Sequence, residues 1–73
     1  MHKSEVARIR EEIELQLEAM QRGMSGYASG TARHSFIRAR MDRLDEYHHK
    51  LTDQIGEQDA DQLVSSLYSE IVG

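Results

Sequence analysis

Apolar residues recur at helical spacing in three stretches of the chain, and polar residues fill the positions between them. The longest stretch runs from Thr31 to Ile55, and its apolar side chains share one face when residues are spaced about 100° apart. The members of that face are Ile37, Met41, Leu44, His48, Leu51 and Ile55. Further apolar residues widen the face on one side, namely Ala32, Phe36, Ala39 and Tyr47. The resulting apolar arc is broader than one neighbouring helix requires.

The stretch before it predicts a first helix over residues 4–24. Ser4 is a suitable N-cap, and Glu5 suits the positive end of the helix dipole. The apolar residues of this helix advance in steps of three and four, which is typical of a coiled-coil seam; they are Val6, Ile9, Ile13, Leu17, Met20 and Met24. Leu15 projects almost opposite the seam, next to the short Ala19, and is a candidate for a second contact surface.

The Gly-rich segment 23–30, GMSGYASG, separates these two helices and predicts a turn. If the helices pack as an antiparallel hairpin, one register pairs their two apolar faces throughout. In that register the opposed pairs are Met20 with Ile37, Ile13 with Leu44, Ile9 with His48, and Val6 with Leu51. We therefore expect a hairpin whose second helix spans residues 31–55.

A third helix is predicted over residues 59–72. Gly56 is well placed to end the second helix, and Asp59 with Gln62 resembles a capping box at the start of the third. Because the third helix is roughly half as long as the others, it covers only one end of the hairpin. The expected fold is all-α, an antiparallel helical hairpin plus a short third helix in one domain over residues 1–73.

The size of the chain favours association with a second copy. At 73 residues the core is thin, and small proteins are usually reinforced by disulfides, a structural metal or oligomerisation. The chain has no cysteine, which excludes disulfides and suits a cytoplasmic protein. We expect a homodimer that completes a helical bundle, with interface or core positions at Leu15, Phe36, Ile37, Arg40, Met41, Leu44, Tyr47, Leu51 and Leu67.

Two broad classes of function are unsuited to this composition. A net charge of −4 disfavours general binding to nucleic acid. The charged N-terminus has no apolar signal-peptide region, and no apolar run approaches the roughly 20 residues that cross a membrane. We therefore expect neither a nucleic-acid partner nor a membrane partner.

The charges along the long helix are arranged against its dipole. Residues 25–43 contain four arginines and the single acid Asp42, whereas seven acids and the single base Lys50 follow from Leu44 onward. Cations are favoured at the C-terminal end of a helix, so this order requires compensation from outside the helix. Two sources are available, the first-helix acids between Glu11 and Glu18 or a partner copy packed antiparallel.

The turn and the start of the second helix form a candidate anion site. Gly30, Thr31, Arg33 and His34 combine free backbone N–H groups, the positive end of a helix dipole and a guanidinium. The spacing matches neither a P-loop nor a dinucleotide fingerprint. An ordinary turn between helices is the favoured interpretation.

The segment Asp45-Glu46-Tyr47-His48-His49 is a candidate metal site. It contains Glu-x-x-His, the pair that di-iron helical bundles use. Glu46 and His49 lie away from the apolar face, so a solvated charged surface is favoured and we expect no metal. His48 flanks the apolar face, where a boundary histidine bonded to a neighbour is favoured over a pH-sensitive interface residue.

These patterns predict a protein that binds rather than catalyses. Ser25, Ser29 and Ser35 have no evident base and orienting carboxylate, so we expect no enzyme activity and no cofactor. The predicted function is a non-catalytic homodimeric module for protein–protein interaction or regulation, with a protein partner possible. The alternatives are a regulator that responds to an anion or small ligand at residues 23–34, or a metal-binding helical bundle.

Overall fold

The computed structural model describes residues 4–25 and 30–73, and within these ranges it contains three α-helices and no strand. Helix α1 spans Glu5–Ser25, α2 spans Gly30–Ile55 and α3 spans Glu57–Ile71. The predicted all-helical class with three helices is confirmed. The middle of the predicted turn, residues 26–29, lies outside the described residues. Within the described ranges, no helix combines the length and apolar content needed to cross a membrane.

Helix α1 begins as its sequence predicts and ends slightly later. The Ala7 backbone N–H donates to Ser4 Oγ at 3.1 Å, which is the bond of an N-cap. The helix includes Gly23, which belongs both to the predicted helix 4–24 and to the Gly-rich segment 23–30. Gly23 provides space there, because a Cβ added to it would lie 2.5 Å from Cε1 of Phe36. The absence of a side chain lets the Phe36 ring pack directly against the backbone of α1.

Contacts between α1 and α2 show that the two helices run antiparallel. The Tyr47 hydroxyl donates to Glu12 Oε2 at 3.4 Å, and Phe36 packs on Gly23 nearer the other end of α1. The predicted register sets Asp45 opposite Glu12, so the observed partner lies two residues further along α2. The contact of Phe36 with Gly23 has the same offset, since the predicted register sets His34 opposite Gly23. The direction of the hairpin therefore agrees with the prediction.

Gly56 joins α2 directly to α3, and here the predicted boundary is wrong. Its φ of 92° and ψ of 161° are accessible essentially only to glycine. The Gly56 N–H donates to the Thr52 carbonyl at 2.9 Å, and its carbonyl accepts from the Ala60 N–H at 3.0 Å. Helix α3 consequently begins at Glu57, two residues before the predicted start, with no side-chain cap. Asp59 therefore lies in the first turn of α3 and does not act as its N-cap.

The hydrophobic core forms where α3 packs across one end of the hairpin. Ile13, Leu17 and Leu51 are fully buried, and Ala60 and Leu67 bring α3 into the same cluster. Ile9 and Met20 complete the buried set. Partly buried apolar residues surround it, namely Val6, Leu44, Tyr47, Ile55, Leu63, Val64, Ile71 and Val72. The core thus uses the N-terminal part of α1, the C-terminal half of α2 and α3.

Candidate functional site: an open groove between α1 and α2

The third helix is too short to cover the whole hairpin. Helix α3 has 15 residues and α2 has 26, a difference of about 16 Å at the usual helical rise. Met24 near the end of α1 and Met41 in α2 are consequently 44% and 48% exposed, although both belong to the apolar faces predicted from the sequence. The uncovered end of the hairpin therefore presents apolar side chains to solvent.

These side chains line a groove of about 740 Å³, called here the open groove. Its apolar lining comes from Met24, Ile37 and Met41. Its polar lining comes from Arg33, His34, Arg38 and Asp42, and Gly30 completes the set. Methionine side chains are flexible and adapt to different partners, so this lining is suited to binding a protein surface. The volume of the groove is also larger than a water molecule or a single ion would fill.

The open groove has an excess of cationic side chains. Two arginines line it against the single carboxylate of Asp42. Arg38 has no ion-pair partner among residues 4–25 and 30–73, although Asp42 lies four residues further along the same helix. The acids of α1 do not provide direct compensation to Arg38. A ligand or partner with negative charge therefore suits this groove.

Two residues predicted at the interface, Phe36 and Arg40, do not line the open groove. The Arg40 guanidinium carbon lies 5.1 Å from the centroid of the Phe36 ring, within cation–π range. The Arg40 Nε atom is buried without a hydrogen-bond partner among the described residues. Phe36 itself packs on Gly23 and remains 39% exposed. This pair belongs to the contact between α1 and α2 on the side where Tyr47 meets Glu12.

The predicted anion site is brought together only in part. A cavity of about 420 Å³ is lined by Gly30, Thr31, His34, Ser35 and Arg38. Arg33, the predicted guanidinium of this site, lines the open groove instead. Arg38 lies one helical turn beyond His34 and is the guanidinium that lines this cavity, although it was not among the predicted residues of the site. Anion binding at this helix start stays a prediction.

The candidate metal segment, residues 45–49, contacts α3 through one of its histidines. His48 Nε2 lies 2.6 Å from Asp61 Oδ1 on α3, which makes His48 a boundary residue bonded to a neighbour. Glu46 and His49 are exposed. Within the described ranges, no three side chains of the His, Asp or Glu type are grouped so that they could hold a metal ion. Asp61 was not singled out from the sequence, because its proximity to His48 depends on how α3 packs.

Leu15 forms a separate surface on the outside of α1. It is 54% exposed and lines a shallow depression of about 330 Å³ with Glu11, Glu14 and Glu18. Glu14 also accepts a hydrogen bond from Arg10 Nε at 3.1 Å. We call these four residues, Glu11, Glu14, Leu15 and Glu18, the Leu15 face. It is an exposed apolar side chain surrounded by carboxylates, on the side of α1 that points away from the core.

The residues predicted as one interface or core set therefore occupy different places. Leu51 and Leu67 are buried, and Leu44 and Tyr47 pack partly buried against the core. Ile37 and Met41 line the open groove, whereas Leu15 belongs to a different surface. Periodicity identified the apolar faces of single helices, but it carries no information about which part of each face α3 covers.

Comparison with known proteins does not assign the chain to a family. It matches no family model, no curated protein and no solved structure at a significant level.

Proposed function

We propose that this chain is a small cytoplasmic module for protein–protein interaction or regulation, that it acts by binding without catalysis, and that it pairs with a second copy as a homodimer. The observation that carries the proposal is the open groove, where Met24 and Met41 remain about half exposed. The cytoplasmic assignment rests on the cysteine-free composition, which suits a reducing compartment.

The lining of the open groove supports binding of a helix. It continues the apolar face that α3 covers further along the hairpin, so a partner helix laid beside α3 extends the same packing. Burial of apolar surface contributes about 25 cal/mol per Å², and the exposed parts of Met24, Ile37 and Met41 are available for it. Hydrophobic contact there supplies attraction, and the surrounding charges select the partner.

The absence of suitable chemical groups in the open groove supports a role without catalysis. Among the described residues that line it there is no serine, threonine or cysteine to act as a nucleophile. Besides the arginines, the ionisable side chains of the groove are His34 and Asp42. The described lining offers no hydroxyl or thiol that either of them could activate as a base. Recognition of a surface is the activity that this set of side chains supports best.

The small core supports a second copy as the partner. Seven apolar residues are buried in the described part of the chain, and three of them are fully buried large side chains. Domains of this size without disulfides commonly gain stability by oligomerisation. If the open groove packs against another copy, more apolar surface is buried than in this small core alone, and the folded chain is stabilised.

The proposal is tested by measuring the mass of two variants by sedimentation equilibrium. Each variant replaces one exposed residue. Met41→Glu places a carboxylate in the open groove, so we expect a mass near that of the 8.4 kDa chain. Tyr68→Glu is the matched control, because Tyr68 is exposed to a similar degree on α3 and does not line the groove. We expect the control to remain dimeric. Circular dichroism should show equal helix content, and a dimeric Met41→Glu variant would contradict the proposal.

A further inference from the structure

We propose that the Leu15 face of a second copy occupies the open groove, so that the two copies associate head to tail. This inference rests on the proposed self-association and specifies which surfaces meet. It follows from two surfaces on the same chain that differ in shape and carry opposite charges. The open groove is concave and cationic, whereas the Leu15 face is a helix ridge with carboxylates around one apolar side chain.

The charges of the two surfaces are complementary. The open groove carries Arg33 and Arg38 against one carboxylate, and Arg38 has no ion-pair partner in the described part of the chain. The Leu15 face carries three glutamates within one helical turn of Leu15. Because Glu14 is ion-paired with Arg10, Glu18 is the carboxylate that we assign to Arg38 of the second copy. Complementary potentials of this kind favour association and fix the orientation of the partners. The second copy thereby supplies the negative charge that the open groove requires.

The shapes of the two surfaces also correspond. Leu15 is an exposed branched side chain on the outside of a helix, and its neighbour Ala19 is short. The groove between α1 and α2 has two methionines whose flexible side chains can adjust around an inserted leucine. A helix ridge in a groove between two helices is an ordinary packing arrangement in helical proteins.

Two other arrangements of two copies are less favourable. If one open groove packed against another, Arg33 and Arg38 of both copies would face each other, and like charges oppose association. If two α2 helices packed antiparallel, Arg38 could face Asp45 of the second copy. That contact would bury a mainly polar stripe of His34, Arg38 and Asp45, with Met41 as its apolar member.

A head-to-tail contact has a consequence for assembly. Leu15 projects from α1 on the side opposite the buried residues Ile13 and Leu17, so the Leu15 face and the open groove point in different directions. Each copy in a dimer then retains one unused surface, either a groove or a Leu15 face. Such heterologous contacts extend into longer chains or close into rings as the concentration rises.

The test mixes two variants that are each defective in one surface. Leu15→Glu disables the Leu15 face and retains an intact groove, whereas Met41→Glu disables the groove and retains an intact Leu15 face. Both positions are exposed, so both variants should fold, and circular dichroism checks this. We expect each variant alone to be monomeric and the equimolar mixture to form a one-to-one dimer that grows no further. Native mass spectrometry distinguishes the two chains and counts them.

A second pair of variants tests the charges independently of the apolar contacts. Arg38→Glu and Glu18→Arg should each weaken association, and the double variant that carries both on one chain should recover part of it, because the charges of the two surfaces are then exchanged. A mixture that stays monomeric in the first experiment, together with a double variant that recovers no association, would overturn the head-to-tail arrangement. Continued dimerisation of Leu15→Glu alone, with Met41→Glu monomeric, would also overturn it and would retain the proposed function. A monomeric wild-type chain would overturn both proposals.

Discussion

At the scale of single residues, burial separates leucines that have the same helical pattern. Leu51 is fully buried, Leu44 is partly buried and Leu15 is more than half exposed. The sequence placed Leu44 at the centre of the predicted hairpin register. In the structure the core is centred closer to α3, because Ala60 and Leu67 pack there. The energetic importance of each leucine therefore follows its burial in this core.

This ranking gives a prediction for unfolding. Leu51→Ala should lower the free energy of unfolding by about 2–5 kcal/mol, the range for fully buried leucines. Leu44→Ala should cost less, since part of its side chain is already in contact with water. Leu15→Ala should change monomer stability by less than about 0.5 kcal/mol. Urea denaturation at one low protein concentration measures all three variants, and an equal loss for Leu44 and Leu51 would contradict the assigned core.

Gly23 shows how one residue type supports two interpretations. A glycine in a Gly-rich segment signals a turn, yet it also permits close approach of another element. The structure places Gly23 inside α1, with the Phe36 ring in the space that a side chain would occupy. No local signal separates these cases, because the approach of Phe36 depends on the register between α1 and α2.

A double-mutant cycle on Gly23 and Phe36 tests this contact. Alanine is a better helix former than glycine by about 1 kcal/mol, so Gly23→Ala should stabilise the protein in a Phe36→Ala background. In the wild-type background the new Cβ displaces the Phe36 ring, which also carries the Arg40 guanidinium, and the gain should disappear. The two effects should differ by more than about 0.5 kcal/mol in chemical denaturation. Equal effects in both backgrounds would mean that the ring does not pack on Gly23.

At the scale of elements, helix periodicity located all three helices, and their ends were predicted less well. The error is largest at α3, where Asp59 and Gln62 resemble a capping box but the helix begins at Glu57. The capping pattern is short and local, whereas the observed start is set by the backbone of Gly56. Its conformation turns the chain directly from α2 into α3. Because no side chain caps α3, Gly56 is the only sequence signal of where this helix begins.

Substitution of Gly56 should therefore destabilise the packing of α3. The φ and ψ of Gly56 lie in a region that costs other residues about 1–3 kcal/mol. We expect Gly56→Ala and Gly56→Asn to be destabilising to a similar degree, because asparagine tolerates the left-handed helical region but not this one. Ser65→Ala, on the exposed surface of α3, is the control and should be nearly neutral. A stable Gly56→Asn variant would show that the residue adopts the left-handed helical conformation instead.

At the scale of the whole molecule, the short third helix determines which surface is left for a partner. The sequence predicted that α3 covers one end of the hairpin, and the structure shows that the end containing Met24 and Met41 is uncovered. The division into an open groove and a Leu15 face was not available from periodicity. It depends on the rotation of α1 and α2 about their axes, which the packing of all three helices determines together.

The charge order along α2 has its clearest explanation at this scale. The sequence offered two sources of compensation for the arginines, the acids of α1 in the same chain or those of a partner. In the described residues, Glu14 bonds to Arg10 and Glu12 to Tyr47, and Arg38 has no ion pair. Among the described residues Arg38 thus lacks an ion pair, and in the proposed head-to-tail arrangement a second copy supplies one.

The most direct test of self-association is sedimentation equilibrium of the wild-type chain over a range of concentrations. We expect a mass near 8.4 kDa at high dilution and about twice that value at tens of micromolar. A further rise at higher concentration is expected from head-to-tail contacts. A mass that stays at 8.4 kDa throughout would contradict the account, because the open groove would then have no second copy to cover it.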